Sequence, residues 1–568
     1  MQKNSRLILA VALSAALMFA VFFIQERFTP KTKPVAGGTN TTAAPAASAA
    51  PVIPLANASS VKIEPVARGV EETVTIDNGR VKAQFSSVNA VLTSYMLSDY
   101  HMLDGANVEM IARHWGNLNP FYVSFTDASN SINNNERILF TIEERSSNKV
   151  VFSADVKVNN VPFRMRKIFT MKPNDYLVDL DVQFQNMSGK PADLTYSLFL
   201  GSGLGPYRAQ KERTQDDIIK VNYLRTGKKD KSDVFSGHEK GFKYKAITEQ
   251  KEWLAIEGRY FAIITSPPKY EYFAESVNMG NPTNAIDIDG YQTANYRASL
   301  TVAPNQLVSE KYASFIGPKK RTMLPEYNRN YESIFKEQFI FINIRPLTYA
   351  MNWMLDFFFK LTKHYAWAII LFTIVYKLVT FPLSQSSYKS MKKMSELTPK
   401  LEELKKQYRN DPQRLNTETM NMYKKEKVNP LGGCLPMLLP FPILIAFFYM
   451  MQNMVELRNV SFMWIKDLTS PDRLMTINGF DVNLLPILMT ATTYVTTMLT
   501  PKTGSKEQAD QMKIFNVALP AVFLFFFYGM ASGLVLYWTL MNLLGIIQQV
   551  IVNQVTHVTA PAATAKKR

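Results

Sequence analysis

Long apolar runs separate polar stretches along this chain of 568 residues. A helix that spans a bilayer needs about 20 mostly apolar residues, with a range of about 17 to 25. The runs that meet this length predict spans at residues 1–28, 364–383, 434–455, 484–500, 514–530 and 532–552. The last two form one uncharged stretch, and Gly529 to Gly533 breaks it into a predicted tight hairpin. The pattern therefore predicts a multi-span α-helical membrane protein with six transmembrane helices.

The first apolar run follows Lys3 and Arg6. It is longer than the ~7–15 apolar residues of a cleaved signal peptide, and Gln25-Glu-Arg27 follows it rather than a small-residue cleavage site. We therefore expect an uncleaved anchor with a cytoplasmic N-terminus, because basic residues stay on the cytoplasmic side. Residues 29–60 are rich in Ala, Pro and Thr, which predicts a flexible tether.

Residues 61–344 have the period-two alternation of half-buried strands. In the clearest run, the apolar positions are Val178, Leu180, Val182 and Phe184, and the polar positions are Asp179, Asp181 and Gln183. Turn sequences such as Asp77-Asn-Gly79 and Met187-Ser-Gly-Lys190 separate the runs. These features predict a large all-β sandwich of antiparallel strands, placed outside the cytoplasm by the predicted topology.

Carboxylates within this domain allow two interpretations. The residues concerned are Glu143, Glu144, Asp175, Asp179 and Asp181. A glycosidase uses a pair of carboxylates at a defined separation, which a sequence does not supply. We favour solvated strand faces.

The connections between the spans carry most of the charge. Residues 345–363 have apolar positions at helical spacing, which predicts an amphipathic helix in the outer interface. Residues 384–429 form a basic helical hairpin, in which one helix covers Met391 to Tyr408 and Asp411 caps the second. Its candidate contact residues are Lys389, Lys392, Lys393, Lys405, Lys406, Lys424 and Lys425. The hairpin is either solvated and unbound, or a contact for a partner or lipid headgroups.

The remaining connections are shorter. Residues 456–483 form an external connection with Trp464 as an interface anchor, and residues 501–513 form an internal loop. Residues 553–568 form a basic tail ending in Lys566, Lys567 and Arg568, three residues that would contact ribosomal RNA or anionic lipid.

Composition excludes several classes of site. Lys and Arg number 64 against 47 Asp and Glu, a net charge of +17 that suits a nucleic acid, a membrane surface or a ribosome. A single cysteine, Cys434, excludes an intramolecular disulfide framework and a cysteine-based metal site. The five histidines lack zinc-protease spacing, and the chain has neither a P-loop nor a dinucleotide-binding motif. We therefore expect neither a bound metal ion nor a cofactor.

Lys377 is the only charged residue between Tyr365 and Phe381. Thr373 lies four residues earlier, on the same helix face. An ammonium group in lipid costs at least a few kcal/mol unless water or a partner reaches it, so the position is a functional candidate. The alternative is a lysine that extends to the headgroups from the helix end.

Specific motifs then indicate a family. The motifs are Asn429–Pro436 (NPLGGCLP), Ser532–Trp538 (SGLVLYW), Trp464–Leu468 (WIKDL) and a basic residue five positions before Pro382. With the order of the domains, they resemble the YidC membrane-protein insertases in their Gram-negative form. The resemblance covers essentially the whole chain, although in the external domain it rests on position and strand character.

The resemblance implies a five-helix insertase core with a hydrophilic, positively charged groove that is closed towards the periplasm. Lys377 stands where the family has arginine, and Thr373 and Tyr537 fall on groove positions. Trp538 replaces what is often tyrosine, and Pro440 replaces a glutamine, so one groove wall should be less polar. The periplasmic domain should resemble a sugar-mutarotase sandwich without that activity.

The resemblance also implies the function, partners and location. The protein would not be an enzyme; it would insert and help fold nascent inner-membrane proteins, alone or with the Sec translocon. Its partners would be nascent chains, the translocon, the ribosome, signal-recognition targeting factors and the phospholipid bilayer. It would lie in the bacterial inner membrane with both termini in the cytoplasm.

Two other classes of protein remain as alternatives. A secondary transporter would use proline-broken helices and one intramembrane cation as an anion site, but the chain has neither an inverted repeat nor an acidic coupling residue in its spans. A membrane-anchored carbohydrate enzyme would leave the basic hairpin unexplained.

Overall fold

A computed structural model gives the fold. It describes residues 63–65, 70–111, 118–125, 137–205, 219–227, 232–235, 243–278, 292–335, 338–339, 342–426, 440–499 and 506–558. The predicted anchor 1–28, the tether 29–60 and the last residues of the tail, 559–568, lie outside these ranges.

The first half of the described chain consists of strands. They are β1 (Ile63–Pro65), β2 (Thr73–Asp77), β3 (Val81–Ser86), β4 (Val91–His101), β5 (Asn107–Glu109), β6 (Val123–Ser124), β7 (Thr141–Arg145), β8 (Lys149–Val158), β9 (Val161–Met171), β10 (Leu177–Asn186), β11 (Ala192–Phe199), β12 (Lys220–Arg225), β13 (Ser232–Phe235), β14 (Lys243–Ile247), β15 (Lys251–Glu257), β16 (Phe261–Ser266), β17 (Phe273–Asn278), β18 (Gln292–Val302), β19 (Leu307–Pro318), β20 (Gln338–Phe339) and β21 (Ile342–Asn343).

The second half consists mainly of helices. They are α1 (Arg345–Thr362), α2 (Tyr365–Glu396), α3 (Thr398–Gln407), α4 (Pro412–Lys425), α5 (Pro440–Asn453), α6 (Leu484–Leu499), α7 (Lys506–Phe527) and α8 (Ser532–Val558). Between α5 and α6 lies a short hairpin of β22 (Met475–Ile477) and β23 (Phe480–Val482).

The strands β1 to β19 build three main antiparallel sheets, which we call the β-domain. The largest has the order β1-β8-β9-β10-β19-β16-β15-β12-β13, with β7 paired to β8; the others are β14-β17-β18-β11-β6 and β2-β3-β4-β5. The predicted alternation of buried and exposed side chains in β10 is confirmed, since its apolar side chains are buried and the polar ones between them are partly exposed. Phe184 of β10 and Tyr196 of β11 have ring centroids 4.9 Å apart, so two sheets pack face to face around one core.

The carboxylates of the β-domain have local partners. Glu143 pairs with Arg166 at 2.8 Å, and Glu144 pairs with Lys149 at 2.6 Å. Asp181 accepts a hydrogen bond from Ser309 at 2.6 Å. For these three residues the contacts match carboxylates on partly solvated strand faces, the interpretation favoured from the sequence, whereas burial raises the pKa of Asp179.

The β-domain is joined to the helical region through the segment after α5. Arg259 Nε donates to the carbonyl of Gln452 at 2.7 Å, and Asn459 Nδ2 donates to the carbonyl of His101 at 2.7 Å. Val455 is buried within the core of the β-domain. Apolar burial and hydrogen bonds to backbone carbonyls therefore hold this junction together.

Helix α1 matches the predicted amphipathic helix closely. Met351, Leu355 and Phe358 are buried, whereas Trp353 and Leu361 are exposed. The apolar positions at spacings of three and four thus face the protein, and an aromatic and aliphatic face remains open.

The predicted helix from Met391 to Tyr408 is wrong, because the structure breaks it at Leu397 between α2 and α3. Pro399 lies in the first turn of α3, where a missing N–H leaves no intrahelical bond unmade. In contrast, α2 continues through Pro382 and extends beyond the predicted span 364–383.

The predicted loop 501–513 is also wrong in its second half, because α7 begins at Lys506. The segment Lys506–Lys513 is polar but rich in good helix formers, so the helix extends beyond the apolar run. The hairpin expected near Gly529 is confirmed, since α7 ends at Phe527 and α8 begins at Ser532.

Two described helical segments are long and apolar enough to cross a membrane, Tyr365–Ser386 and Ser532–Ile551. Three other apolar helical segments are shorter: Ile443–Asn453, Leu484–Leu499 and Val517–Phe527. The full set of six spans is therefore not established by helix length.

Candidate functional site

Helices α2 and α8 run side by side in the same direction. Lys377 Nζ on α2 lies 3.5 Å from the position that a Cβ on Gly545 of α8 would occupy. Further along both helices, Gln548 Nε2 donates to the carbonyl of Phe381 at 3.4 Å. Residue numbers rise together along both helices, so a parallel pair places the predicted cation of α2 against the backbone of α8.

Lys377 is half-buried and has no ion pair within the part of the chain that the structure describes. Neither Asp nor Glu occurs in residues 365–386 or 532–551, so neither segment supplies a counter-charge. Gly545 has no side chain, which leaves room for the ammonium beside α8. The result is a positive charge held at the contact of two apolar helices, where an anionic group would be attracted.

Thr373 lies one turn before Lys377 and is fully buried. Its hydroxyl donates to the carbonyl of Ile369 at 2.7 Å, which uses its only donor within α2. The oxygen keeps lone pairs and remains an acceptor.

Tyr537 of α8 is buried among side chains of α2 and α5. Its ring lies 4.2 Å from that of Phe447 and 6.2 Å from that of Phe372, between α5 and α2. Its hydroxyl has no hydrogen-bond partner among the described atoms. An unpaired buried hydroxyl costs about 1–3 kcal/mol, so this position has the capacity to bind a polar group that enters the site.

Trp538 lies on another face of α8, away from the contact with α2. Its ring centroid is 5.9 Å from that of Phe523 and 6.3 Å from that of Phe527, both on α7. Successive helical residues are about 100° apart, so Tyr537 and Trp538 face different neighbours. The structure therefore does not bring Trp538 together with Lys377.

Additional polar side chains lie along the same part of α8. Asn542 Nδ2 donates to the Thr493 hydroxyl of α6 at 2.7 Å, and Gln548 and Gln549 are both buried. Sequence reasoning did not assign these residues to the site. The signal was present, because the glutamines interrupt an uncharged apolar run where a polar amide requires a partner.

The basic hairpin is a separate candidate contact. Lys393, Lys406, Lys424 and Lys425 are exposed and Lys405 is partly exposed. Lys400 pairs with Glu426 at 2.6 Å across α3 and α4, and the Asp411 carboxylate accepts from the Arg414 amide at 3.0 Å as the predicted cap. These contacts order the hairpin and leave most of its cations available.

Several predicted site residues lie outside the described part. The side chains of Lys389, Lys392 and Pro440 are not described, and neither are residues Lys566, Lys567 and Arg568. Among the described residues, no group of His, Cys, Asp and Glu could hold a metal ion. Lys377 supplies a cation, and Tyr537, Asn542 and Gln548 supply neutral polar groups in apolar surroundings, an arrangement that suits binding.

Two family models match the chain. The model of the YidC periplasmic domain matches residues 73–353, and the model of the 60Kd inner membrane protein matches residues 357–559. The boundary between the two matches falls within α1, after the β-domain ends.

Curated relatives match nearly the whole chain. The membrane protein insertase YidC of Pelobacter propionicus is 30% identical over 98% of this chain and 100% of its own length. The YidC of Treponema denticola is 28% identical over 98% of this chain and 99% of its own length. A solved structure described as an active YidC insertase is 20% identical over 87% of this chain and 94% of its own, with a TM-score of 0.34. The full-length identity to curated relatives shows that the chain belongs to the YidC family of inner-membrane protein insertases.

Proposed function

We propose that this chain inserts nascent proteins into the inner membrane by binding them at Lys377, between α2 and α8. Its relatives over nearly the full length are named membrane protein insertases, a function without covalent chemistry. The observation that carries the site is the ammonium of Lys377 beside Gly545, which has no ion pair among the described residues, with the buried Tyr537 hydroxyl earlier along α8.

The proposal includes a topology. The chain would cross the membrane six times, with an anchor at residues 1–28 and a core of α2, α5, α6, α7 and α8. Both termini and the α3–α4 hairpin would lie in the cytoplasm, because basic residues concentrate there. The exposed hairpin lysines would contact the ribosome, targeting factors or lipid headgroups, and the Sec translocon would be a partner for larger substrates.

The proposed mechanism lowers the cost of moving a polar segment across hydrocarbon. Tyr537, Asn542 and Gln548 would exchange hydrogen bonds with the segment, which otherwise leaves its polar groups unpaired. Lys377 would attract an acidic side chain, and at about 4 Å this attraction reaches about 4 kcal/mol at an effective dielectric constant near 20. Apolar segments then leave sideways into lipid, driven by burial at about 25 cal/mol per Å².

Reconstituted liposomes test this proposal. A newly translated two-span protein with an acidic external segment is added, and its protection from protease is compared for wild type, Lys377→Arg and Lys377→Glu. We expect Lys377→Arg to retain protection and Lys377→Glu to lose most of it, because the reversed charge repels the acidic segment. Lys360→Glu, at an exposed lysine of α1, is the matched control and should behave as wild type.

Two outcomes would count against the proposal. Equal protection with all variants would make Lys377 a lysine that extends to the headgroups. If protease protection of the substrate does not depend on the protein at all, the secondary-transporter alternative would be favoured. A second substrate carries lysine instead of aspartate in its external segment. If charge is the cause, Lys377→Glu should protect this substrate from protease better than wild type does.

A further inference from the structure

The hairpin of β22 and β23 is amphipathic. The pairs Met475↔Val482 and Ile477↔Phe480 lie on one face, because residues two apart in a strand share a face. The pair Thr476↔Asp481 lies on the other face, where the Thr476 hydroxyl donates to Asp481 at 2.7 Å. One face of the hairpin is therefore apolar and the other is polar.

The apolar face is open. Met475, Ile477 and Phe480 are 51%, 54% and 62% exposed in the part of the chain that the structure describes. Phe480 has one aromatic neighbour, Tyr528, at 5.7 Å between ring centroids. On the polar face, in contrast, the Asp481 carboxylate has two partners, because Arg473 also pairs with it at 3.0 Å. Water is a poor environment for three adjacent large apolar side chains, so this face is suited to an apolar partner.

The position of the hairpin identifies that partner. Asn483, the residue after β23, donates through Nδ2 to the carbonyl of Tyr528 at 2.7 Å, and the Tyr528 hydroxyl donates to the carbonyl of Asp481 at 2.8 Å. Tyr528 belongs to the turn between α7 and α8. The hairpin is thus fixed at the ends of three apolar helices, α6, α7 and α8.

The length of α6 sets the depth of the hairpin. Its 16 residues span about 24 Å at about 1.5 Å per residue, which is less than a hydrocarbon core of about 30 Å. A short span draws its flanking residues towards the hydrocarbon boundary. Only Asn483 separates the end of β23 from the start of α6. If α6 crosses the membrane, the hairpin therefore lies at the boundary of the hydrocarbon core.

We propose that the apolar face of this hairpin, formed by Met475, Ile477, Phe480 and Val482, is embedded in the outer leaflet of the bilayer at the boundary of headgroups and acyl chains. The polar face with Thr476 and Asp481 remains in the headgroup layer. The hairpin would then anchor the outer end of α6, whose first turns also expose Ile487 and Leu488. This inference rests on the proposed topology, in which α6 is a membrane span.

Site-directed spin labelling of the full chain tests the inference. Cys434 is the only cysteine, so a Cys434→Ser background allows single labels at Ile477→Cys, Thr476→Cys and Leu488→Cys. In liposomes of phosphatidylethanolamine and phosphatidylglycerol, oxygen concentrates in the acyl region and a nickel chelate stays in water. We expect the ratio of oxygen to nickel collisions to be several-fold higher at residue 477 than at its matched control, residue 476.

The label in α6 separates the two ways to fail. If the label at residue 488 lies in lipid but the label at residue 477 lies in water, the proposed insertion of the hairpin is overturned and the topology remains intact. A label at residue 488 in water would overturn the topology itself. A label at residue 477 that neither reagent reaches would show that protein covers the face, such as a second copy of the chain, and would also overturn the proposal.

Discussion

Glu456 is a buried acid at the junction between the β-domain and the helices. Its carboxylate lies 3.8 Å from the ammonium of Lys320, and its side chain is 9% exposed. Burial raises the pKa of this carboxyl group, and Lys320 and Arg321 oppose the shift while Asp356 adds to it. Burial also raises the pKa of Asp356, which accepts a hydrogen bond from Asn352 at 3.0 Å. In the folded protein, Glu456 and Asp356 therefore bind protons more readily than free carboxyl groups do.

This predicts how the stability of the junction depends on pH. A carboxyl group with a raised pKa binds more protons folded than unfolded, so its contribution is complete below its usual pKa of 4.5 and is lost as pH rises through the folded pKa. We expect Glu456→Gln to weaken the decline of melting temperature above pH 4.5 in detergent-solubilised protein. The exposed Glu326→Gln is the control, and a wild-type pH slope in Glu456→Gln would contradict the assignment.

At the scale of elements, the loop before the β22–β23 hairpin caps the buried start of α8. The first amides of α8 need acceptors from outside the helix, and Gly533 N–H donates to the carbonyl of Leu468 at 2.9 Å. Ser532 N–H likewise donates to the carbonyl of Ser470 at 2.8 Å. The buried Asp467 carboxylate holds the loop, because it accepts from the amides of Asn459 and Thr469 at 3.1 and 2.9 Å. The Trp464–Leu468 motif thus positions α8, which carries Tyr537.

Removing that carboxylate should therefore destabilise the loop and the start of α8 together. We expect Asp467→Ala to lower the free energy of unfolding by about 2–4 kcal/mol, because two backbone amides and neighbouring hydroxyl groups lose their acceptor. Thermal unfolding in detergent measures the effect, and the exposed Lys466→Ala in the same loop should change it by less than about 0.5 kcal/mol. Equal melting temperatures for both variants would show that the loop does not depend on Asp467.

At the scale of the whole molecule, Arg458 links the β-domain to the helical region. Its guanidinium lies 5.1 Å from the ring centre of Phe261 and 5.7 Å from that of Tyr260. Its Nη2 also donates to the carbonyl of His101 at 3.5 Å. Desolvated cation–π contacts contribute up to about 2 kcal/mol each, so this side chain is a large part of the junction.

We expect Arg458→Ala to loosen the junction without unfolding the β-domain. Deuterium exchange should accelerate about tenfold in the peptide covering residues 452–459, as a loss of about 1.4 kcal/mol implies, and stay unchanged in β10. Arg473→Ala, at an exposed arginine just before the β22–β23 hairpin, is the matched control. Equal acceleration throughout β10 would instead show that Arg458 stabilises the β-domain as a whole.

Local patterns determined much of this structure in advance. The alternation in β10 specified its buried face, because side chains in a strand alternate between two sides. Asp411 before Pro412 specified a helix start, because its carboxylate reaches the amide three residues on. Lys377 was identified because a charge inside an apolar run is costly wherever that run folds.

Only the tertiary structure placed distant residues together. It put Lys377 beside Gly545 and the carbonyls of Leu468 and Ser470 at the start of α8, contacts that no local spacing encodes. It also gave the adjacent Tyr537 and Trp538 different neighbours, on α5 and α7. It extended α7 into a polar segment that the sequence predicts to be a loop. The physical reason is that periodicity and charge act within a few residues, whereas the neighbour of a helix face depends on how all the helices pack.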